Sequence, residues 1–289
     1  MMKVLLTGGK GMLGRTLVKE LSPACEVIPT DLPEADITDG ASFGAILDQY
    51  KPDAVIHCAA MTAVDKCETE QDLAYRLNAF GSATVAACCH ARSIRLIGIS
   101  TDYVFDGASD RPYHEFDIPT GGNTIYGKSK FAGEEAIRRH CPNSVICRIS
   151  WLYGAGGPSF VHAMIQLADG SRPELKVVGD QIGNPTSTTA VARQLKNILA
   201  NPALVGTFHL TCEGEASWYD FACEIFRLAG IRQKVVPCTT AEFPRPAPRP
   251  ANSRLEKRML RLAGLPPMPD WKDALQEFIS SEFAADPRQ

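Results

Sequence analysis

The chain has no long apolar run, no paired-cysteine motif and no excess of one charge. Nowhere in its 289 residues does a stretch approach the roughly 20 apolar residues that a membrane-spanning helix needs. Residues 1–8 carry one lysine and an apolar run too short for the core of a secretory signal, so the expected location is the cytoplasm. A formal net charge of -3 supplies no electrostatic reason for nucleic acid or an anionic membrane as partner. An anionic small molecule stays open, because a local cluster of arginines binds phosphate whatever the total charge. There is no internal repeat and no low-complexity tract.

The ten cysteines include no Cys-x-x-Cys pair, and without an export signal they read as reduced thiols. Cys88 and Cys89 are adjacent, a poor geometry for a disulfide or for paired metal ligation. Cys58, Cys147 and Cys223 lie in apolar runs and read as small buried hydrophobes. The six histidines are scattered without His-x-x-x-His or Cys/His spacing. No metal site is expected.

What is present is an alternation of strands and helices. Residues 3–7 form a short apolar run ending in Gly8-Gly9, which reads as a buried strand. Met12, Leu13, Leu17, Val18 and Leu21 then recur at helical spacing, so a helix follows and stops before Pro23. Residues 26–29, 54–58, 95–100 and 144–148 read as further strands, and 71–92 and 126–140 as helices. This order predicts an α/β fold, a Rossmann-type doubly wound parallel sheet with helices on both faces. Past residue 150 glycine and proline become denser. The expected organisation is an NAD(P)-binding Rossmann domain over residues 1–150 and a smaller, interleaved α/β substrate domain over 151–289. A segment near 185–212 is expected to return to the first domain, with 206–211 as a strand completing the sheet. Residues 237–250 hold five prolines with Arg245 and Arg249 among them. They read as a stiff loop packed on the body.

Thr7-Gly8-Gly9-Lys10-Gly11-Met12-Leu13-Gly14 lies at the first strand-to-helix junction. Gly8 permits the tight turn, Gly11 lets backbone approach a pyrophosphate, and Gly14 lets helix and strand pack closely. The N–H groups that open the helix, around Met12 and Leu13, then point at phosphate oxygens. Asp31 ends the second strand about twenty residues on, where an acid bonds the adenosine ribose hydroxyls. A carboxylate there repels a 2′-phosphate, which favours NADH on charge without excluding NADPH. Asp36 and Ile37 follow closely enough to flank the adenine.

Tyr126 and Lys130 stand at i and i+4, on one face of a helix. Of seven tyrosines, only Tyr126 has lysine at that spacing. A phenol near pKa 10 relays protons poorly at neutral pH, and a nearby ammonium lowers that value by stabilising the phenolate. Thr101 and Asp102 close the fourth strand at the carboxyl edge, where open α/β sheets bind ligands. Thr101 is placed to bond a carbonyl oxygen being reduced, and Ile99 on the same strand joins the residues expected to face the cofactor.

Together these features resemble the extended short-chain dehydrogenase/reductase family. The resemblance runs nearly the whole length. It includes Gly8-x-x-Gly11-Met12-Leu13-Gly14, Ala59-Ala60-Met61-Thr62-Ala63-Val64-Asp65, Asn78, Ser100-Thr101-Asp102-Tyr103-Val104-Phe105 and Tyr126-x-x-x-Lys130. It continues through Arg148-x-Ser150-Trp151-x-Tyr153, Asp180-Gln181-x-Gly183-x-Pro185-Thr186 and Arg249-Pro250-x-Asn252-Ser253-x-Leu255. The last three motifs point to the branch that reduces nucleotide-linked keto sugars.

The resemblance implies hydride transfer from NADPH or NADH to C4 of a dTDP-linked 4-keto-6-deoxy sugar. The expected substrate is dTDP-4-dehydro-L-rhamnose, on a route to cell-surface polysaccharide. Tyr126 would protonate the alkoxide, Lys130 would tune it, and Thr101 would bond the sugar O4. Ala60, Met61 and Thr62 match the segment along the cofactor. Val64, Asp102, Tyr103 and Trp151 match positions lining the sugar pocket, and Arg249, Asn252 and Ser253 fall in a substrate-domain motif. Asp102 is followed by Tyr103 where sugar-nucleotide dehydratases carry glutamate, so dehydration is not expected. Related dimers bridged by magnesium use glutamates at positions that match Thr16 and Thr189, which are weak magnesium ligands. A monomer or homodimer without metal is expected. The competing readings are reduction of a different nucleotide-linked 4-keto sugar, or its epimerisation with tightly held NAD, distinguished by stoichiometry, and a cofactor-binding regulatory subunit. The intact Thr101, Tyr126 and Lys130 argue against the latter.

Overall fold

The computed structural model describes residues 1–283. Its first strands are β1 (Met2–Thr7), β2 (Cys25–Thr30), β3 (Ala54–His57), β4 (Arg95–Thr101) and β5 (Val145–Ile149). Between them lie α1 (Met12–Leu21), α2 (Gly40–Tyr50), α3 (Val64–Thr69), α4 (Gln71–Tyr75), α5 (Gly81–Ala91) and α6 (Ile125–His140). The helix expected over 71–92 is interrupted: Arg76–Phe80 forms a π turn joining α4 to α5. The sequence reading also passed over α2, whose Asp39 cap accepts the Ala41 and Ser42 N–H groups.

The later chain adds β6 (Leu152–Tyr153), α7 (Phe160–Leu167), β7 (Leu175–Val178), β8 (Ile182–Gly183), β9 (Thr186–Ser187) and α8 (Thr188–Leu199). It ends with β10 (Gly206–His209), β11 (Ala216–Ser217), α9 (Trp218–Ala229), β12 (Val235–Cys238), α10 (Arg258–Leu262) and α11 (Trp271–Glu282). Six strands form one sheet in the order β10-β5-β4-β3-β1-β2, parallel at every pairing. The doubly wound parallel sheet stands as expected.

Strand alternation explains both faces. Val4, Leu6, Ala54, Ile56, Ile97, Val145, Cys147 and Phe208 join one apolar core with α1 and α8. Leu5, Val55, Leu96 and Ile146 join a second with residues of α2, α5 and α6. A strand buried on both faces has no polar side to show, which is why its sequence reads as a continuous apolar run. The first core runs without a break into α7, α9 and α11. The carboxyl-terminal region therefore shares the sheet's interior. That region otherwise rests on three two-stranded ladders, β11 with β8, β12 with β7 and β6 with β9. The chain also crosses back: β10 pairs with β5, α8 packs on α1, and Thr16 donates to Thr188 Oγ1 at 2.9 Å.

Among the described residues no helix is long and apolar enough to cross a membrane. All ten cysteines are free thiols. Cys147 is buried, whereas Cys58 and Cys223, also expected inside, are only partly covered.

Candidate active site

A cleft of about 610 Å³ opens at the carboxyl edge of β1, β3 and β4. Gly8 starts it, at φ +69°. Its backbone lies so close to the β3 loop that a Cβ there would come within 2.8 Å of the Ala59 nitrogen. Gly11 caps α1 without a side-chain acceptor, leaving the helix's first N–H groups to a ligand. From this loop the lining runs past Asp31, Asp36 and Ile37 on one side and Ala60 and Thr62 on another, reaching Thr101, Tyr126 and Lys130. Asp31 is held by backbone: its carboxylate accepts the Lys10 N–H at 3.1 Å and the Leu32 N–H at 3.0 Å. Lys10 and Arg15 border a neighbouring cavity that shares Asp31. The basic groups near Asp31 come from the glycine loop and the first turn of α1, not from residues next to Asp31 in sequence.

Thr124 caps α6 by accepting the Gly127 N–H at 3.0 Å. That sets Tyr126 in the first turn, its ring edge-on to Tyr103 with centroids 5.5 Å apart. Thr101 Oγ1 donates to Asp102 Oδ1 at 2.9 Å and accepts the Tyr103 N–H at 3.2 Å. Lys130 is buried and donates to the Ile99 carbonyl at 2.8 Å. Burial pulls its ammonium down to about 8, opposed by the charge of Glu134. The structure departs from expectation at the phenol. Burial pushes Tyr126 up, because a phenolate there would be desolvated, against a smaller lowering by the Thr101 hydroxyl. Burial also raises the Asp102 carboxyl to about 6, tempered by Ser253 and Thr101.

Two polar networks brace this edge. In the first, Thr7 Oγ1 and His57 Nδ1 lie 2.7 Å apart, and His57 Nε2 lies 3.1 Å from Ser82 Oγ. Ser82 donates its own proton to the Asn78 carbonyl at 2.7 Å, so His57 carries its proton on Nε2. Burial holds that imidazole down to about 3. Asn78, on the π turn, accepts the Met61 N–H at 2.8 Å and donates to the Met61 carbonyl and Ser129 Oγ. It thereby fixes the 60–62 loop against α6.

The second network ties α6 to β4 and β5. Glu134, one turn beyond Lys130, accepts Arg148 Nε at 2.8 Å and Nη2 at 2.7 Å, Arg138 at 2.8 Å and Ser100 Oγ at 2.6 Å. Burial alone would raise this carboxyl; the arginines and Ser100 hold it at about 2. Nothing at sequence level marked Glu134 or His57, since a buried ion pair reads as surface charge until its partner is known. The one signal was position, for Glu134 continues the i+4 line of Tyr126 and Lys130.

Most expected site residues meet in the cleft. Gly8, Gly11, Met12, Leu13, Gly14, Asp31, Asp36, Ile37, Ala60, Thr62 and Ile99 line it, as do Val64, Thr101, Asp102, Tyr103, Tyr126, Lys130 and Trp151. Four expected residues do not. Met61 turns into an apolar cluster with Cys67, Ala74 and Tyr126, because Asn78 pins its backbone. Arg249 bonds Asp65 at 2.9 Å and the Ala247 carbonyl. Asn252 donates to the Ser109 and Arg111 carbonyls, both at 2.8 Å, and accepts from Arg254. Ser253 is buried, lowering the pKa of Asp102. Cys58, Ser100 and Ser150 also line the cleft and went unmarked as site residues. Among the described residues no cluster of three or more His, Cys, Asp or Glu side chains could hold a metal.

Known proteins resemble this chain over its whole length. The spore coat polysaccharide biosynthesis protein SpsK of Bacillus subtilis is 41% identical over 286 residues, 99% of each chain. The crystal structure of a dTDP-4-dehydrorhamnose reductase from Clostridium acetobutylicum matches with a TM-score of 0.93 at 47% identity, covering 97% of this chain and 99% of that one. The Bacillus anthracis dTDP-4-dehydrorhamnose reductase, solved in complex with NADP, matches at 0.94 and 39% identity, covering 97% and 100%. The sequence profile described as the RmlD substrate binding domain matches residues 2–283, and the chain belongs to that family.

Proposed function

We propose that this chain reduces the C4 ketone of dTDP-4-dehydro-L-rhamnose to the alcohol, giving dTDP-L-rhamnose with NADPH or NADH as reductant, for cell-surface polysaccharide. The observation that carries the reading is the convergence of Thr101, Tyr126 and Lys130 on one cleft that begins at an uncapped glycine loop. The cradle suits a dinucleotide. Gly8 leaves no room for a side chain, the open helix start accepts a diphosphate, and Asp31 faces the ribose end. Residues 1–150, which the segment near 185–212 rejoins, form the domain that holds the cofactor; the remainder of 151–289 mainly holds the dTDP-sugar.

When bound, the reduced nicotinamide supplies the hydride that C4 receives. The chain's own residues handle the oxygen. Thr101, at the end of β4, turns its hydroxyl from Asp102 to the sugar O4 and polarises the carbonyl. Tyr126 delivers its proton to O4 as negative charge develops there. Burial keeps the phenol protonated in the empty cleft, and releasing that proton to O4 depends on positive charge nearby to offset the phenolate. Lys130 keeps its ammonium beside the phenol and the nicotinamide ribose, offsetting the phenolate left after transfer. Val64, Asp102, Tyr103 and Trp151 form the sugar end.

The test is direct turnover: purified chain with the dTDP-4-keto sugar, following NADPH and NADH oxidation separately. One equivalent of cofactor oxidised per sugar is expected. Absence of oxidation with either cofactor would falsify the reading, and turnover without net cofactor use would identify an epimerase.

A further inference from the structure

Of the three tryptophans, Trp151 is the one in an unusual backbone state. Its φ of +45° lies in the left-handed region, which bulky residues rarely enter and which concentrates at ligand clamps. Trp151 lines the cleft together with its neighbours Ser150 and Leu152. Three contacts hold it. Its carbonyl accepts the Thr186 N–H at 3.2 Å. Gly183 gives its indole room, since a Cβ there would come within 2.5 Å of the ring. Its indole stacks on Trp218 with centroids 3.6 Å apart and planes 8° from parallel.

Trp218 is itself fixed and lines no part of the cleft. It opens α9 behind a reciprocal cap between Ser217 and Asp220. Its indole N–H donates to Gln181 Oε1 at 3.1 Å, and Gln181 Nε2 donates to Thr240 Oγ1 at 2.9 Å. The β8–β11 ladder pairs Gly183 with Ala216 and Ile182 with Ser217, so Gly183 and Trp218 belong to one small frame. A left-handed tryptophan without its stacking partner relaxes toward ordinary backbone angles, and the indole then leaves the wall of the cleft.

We propose that Trp218, held by Gln181, is a positioning residue that keeps the Trp151 indole as the wall of the sugar subsite and thereby sets affinity for the sugar nucleotide. The inference rests on the reading that the Trp151 end of the cleft takes the sugar. An indole face suits the apolar C–H face and methyl group of a 6-deoxy sugar.

Trp218→Leu and Trp218→Phe in the full chain test it. Trp218→Leu should abolish the exciton couplet of the stacked indoles in circular dichroism. It should also raise KM for the dTDP-keto sugar by about tenfold, with kcat and the cofactor KM changing by less than about twofold. Trp218→Phe, which still stacks, should recover most of that affinity. Loss of the couplet with an unchanged sugar KM overturns the proposal, as does an equal loss in cofactor affinity and kcat. If Trp218→Leu does not fold, Gln181→Met carries the same test with a KM rise of about threefold expected. If wild-type chain turns over no dTDP-keto sugar, the reaction reading falls. The clamp is then judged by calorimetry with unreactive dTDP-L-rhamnose, where equal affinity of wild type and Trp218→Leu overturns it.

Discussion

The edge of the sheet and the carboxyl-terminal cap build the same cleft from different materials. At the sheet, position comes from regular elements: Thr101 ends β4, Tyr126 and Lys130 share one face of α6, and the glycine loop joins β1 to α1. Behind them stands a charged network in which Glu134, Arg148 and Ser100 are buried and Arg138 reaches Glu134 from the surface. In the cap, β11 with β8 and β6 with β9 pair over only two residues each and β12 with β7 over four, and much of the position comes from brackets built on neutral amide side chains. Asn252 ties residues 109 and 111 to Arg254, and Asn184 ties Gly214 to the Leu255 N–H. A buried charge without its partner is costly, whereas a neutral amide loses only its own bonds. Substitutions on the two sides should therefore differ in size and in kind.

The largest expected effect is at the sheet edge. Tyr126→Phe removes the proposed proton donor with little change of shape, and turnover should fall about 10²- to 10⁴-fold while cofactor binding by fluorescence titration persists. Substantial retained turnover would remove Tyr126 from its role. Next is Glu134→Gln, which leaves Arg148 buried and unpaired. Denaturant titration should show a loss of about 3–5 kcal/mol, and a loss below about 1 kcal/mol would mean that Glu134 and Arg148 are not sealed from water. On the cap side, Asn252→Ala removes its bonds to the Ser109 and Arg111 carbonyls, the second of which keeps the Ser109 hydroxyl as donor, and should cost about 0.5–1.5 kcal/mol. If it equalled Glu134→Gln, the contrast between charged and neutral bracing would fail.

The pH dependence sharpens the contrast further. His57 braces the sheet edge, and His209 joins the sheet to the cap, its Nδ1 2.9 Å from the Glu256 carbonyl. Burial holds both imidazoles down to about 3, helped at His209 by the charge of Arg148. The folded chain therefore keeps them neutral while the unfolded chain protonates them near 6.5. Their contribution is complete above about 6.5 and is lost as pH falls toward 3, each costing at most about 1.4 kcal/mol per pH unit. Chemical denaturation between these limits should show a shallower slope in His57→Gln than in wild type; identical slopes would mean that His57 is not neutral in the fold. The smallest effect belongs to Arg249→Ala. Its pair with Asp65 is partly exposed and should contribute less than about 1 kcal/mol in a thermal or denaturant melt.

The primary structure determined the sheet and the shared helix face of Tyr126 and Lys130 because both depend on short-range periodicity. Apolar runs separated by helical spacing specify a doubly wound sheet, Gly8, Gly11 and Gly14 mark its first turn, and an i+4 tyrosine and lysine must share a helix face. Those signals placed the glycine loop, Asp31, Thr101, Tyr126 and Lys130 on the cleft, and the family resemblance added Ala60, Thr62, Val64, Tyr103 and Trp151. They failed where a residue's role depends on a partner far along the chain. Met61 looked like a cofactor neighbour until Asn78 fixed its backbone, and Arg249 and Asn252 looked like substrate contacts until Asp65 and the 109–111 carbonyls engaged them. Glu134 needed Arg148 to become a buried ion pair, and Trp218 needed the β8–β11 ladder to reach Trp151. Side-chain chemistry fixes what each of these residues can bond. Only the tertiary structure decides which partner arrives, because that depends on chain closure across many residues and not on any local period.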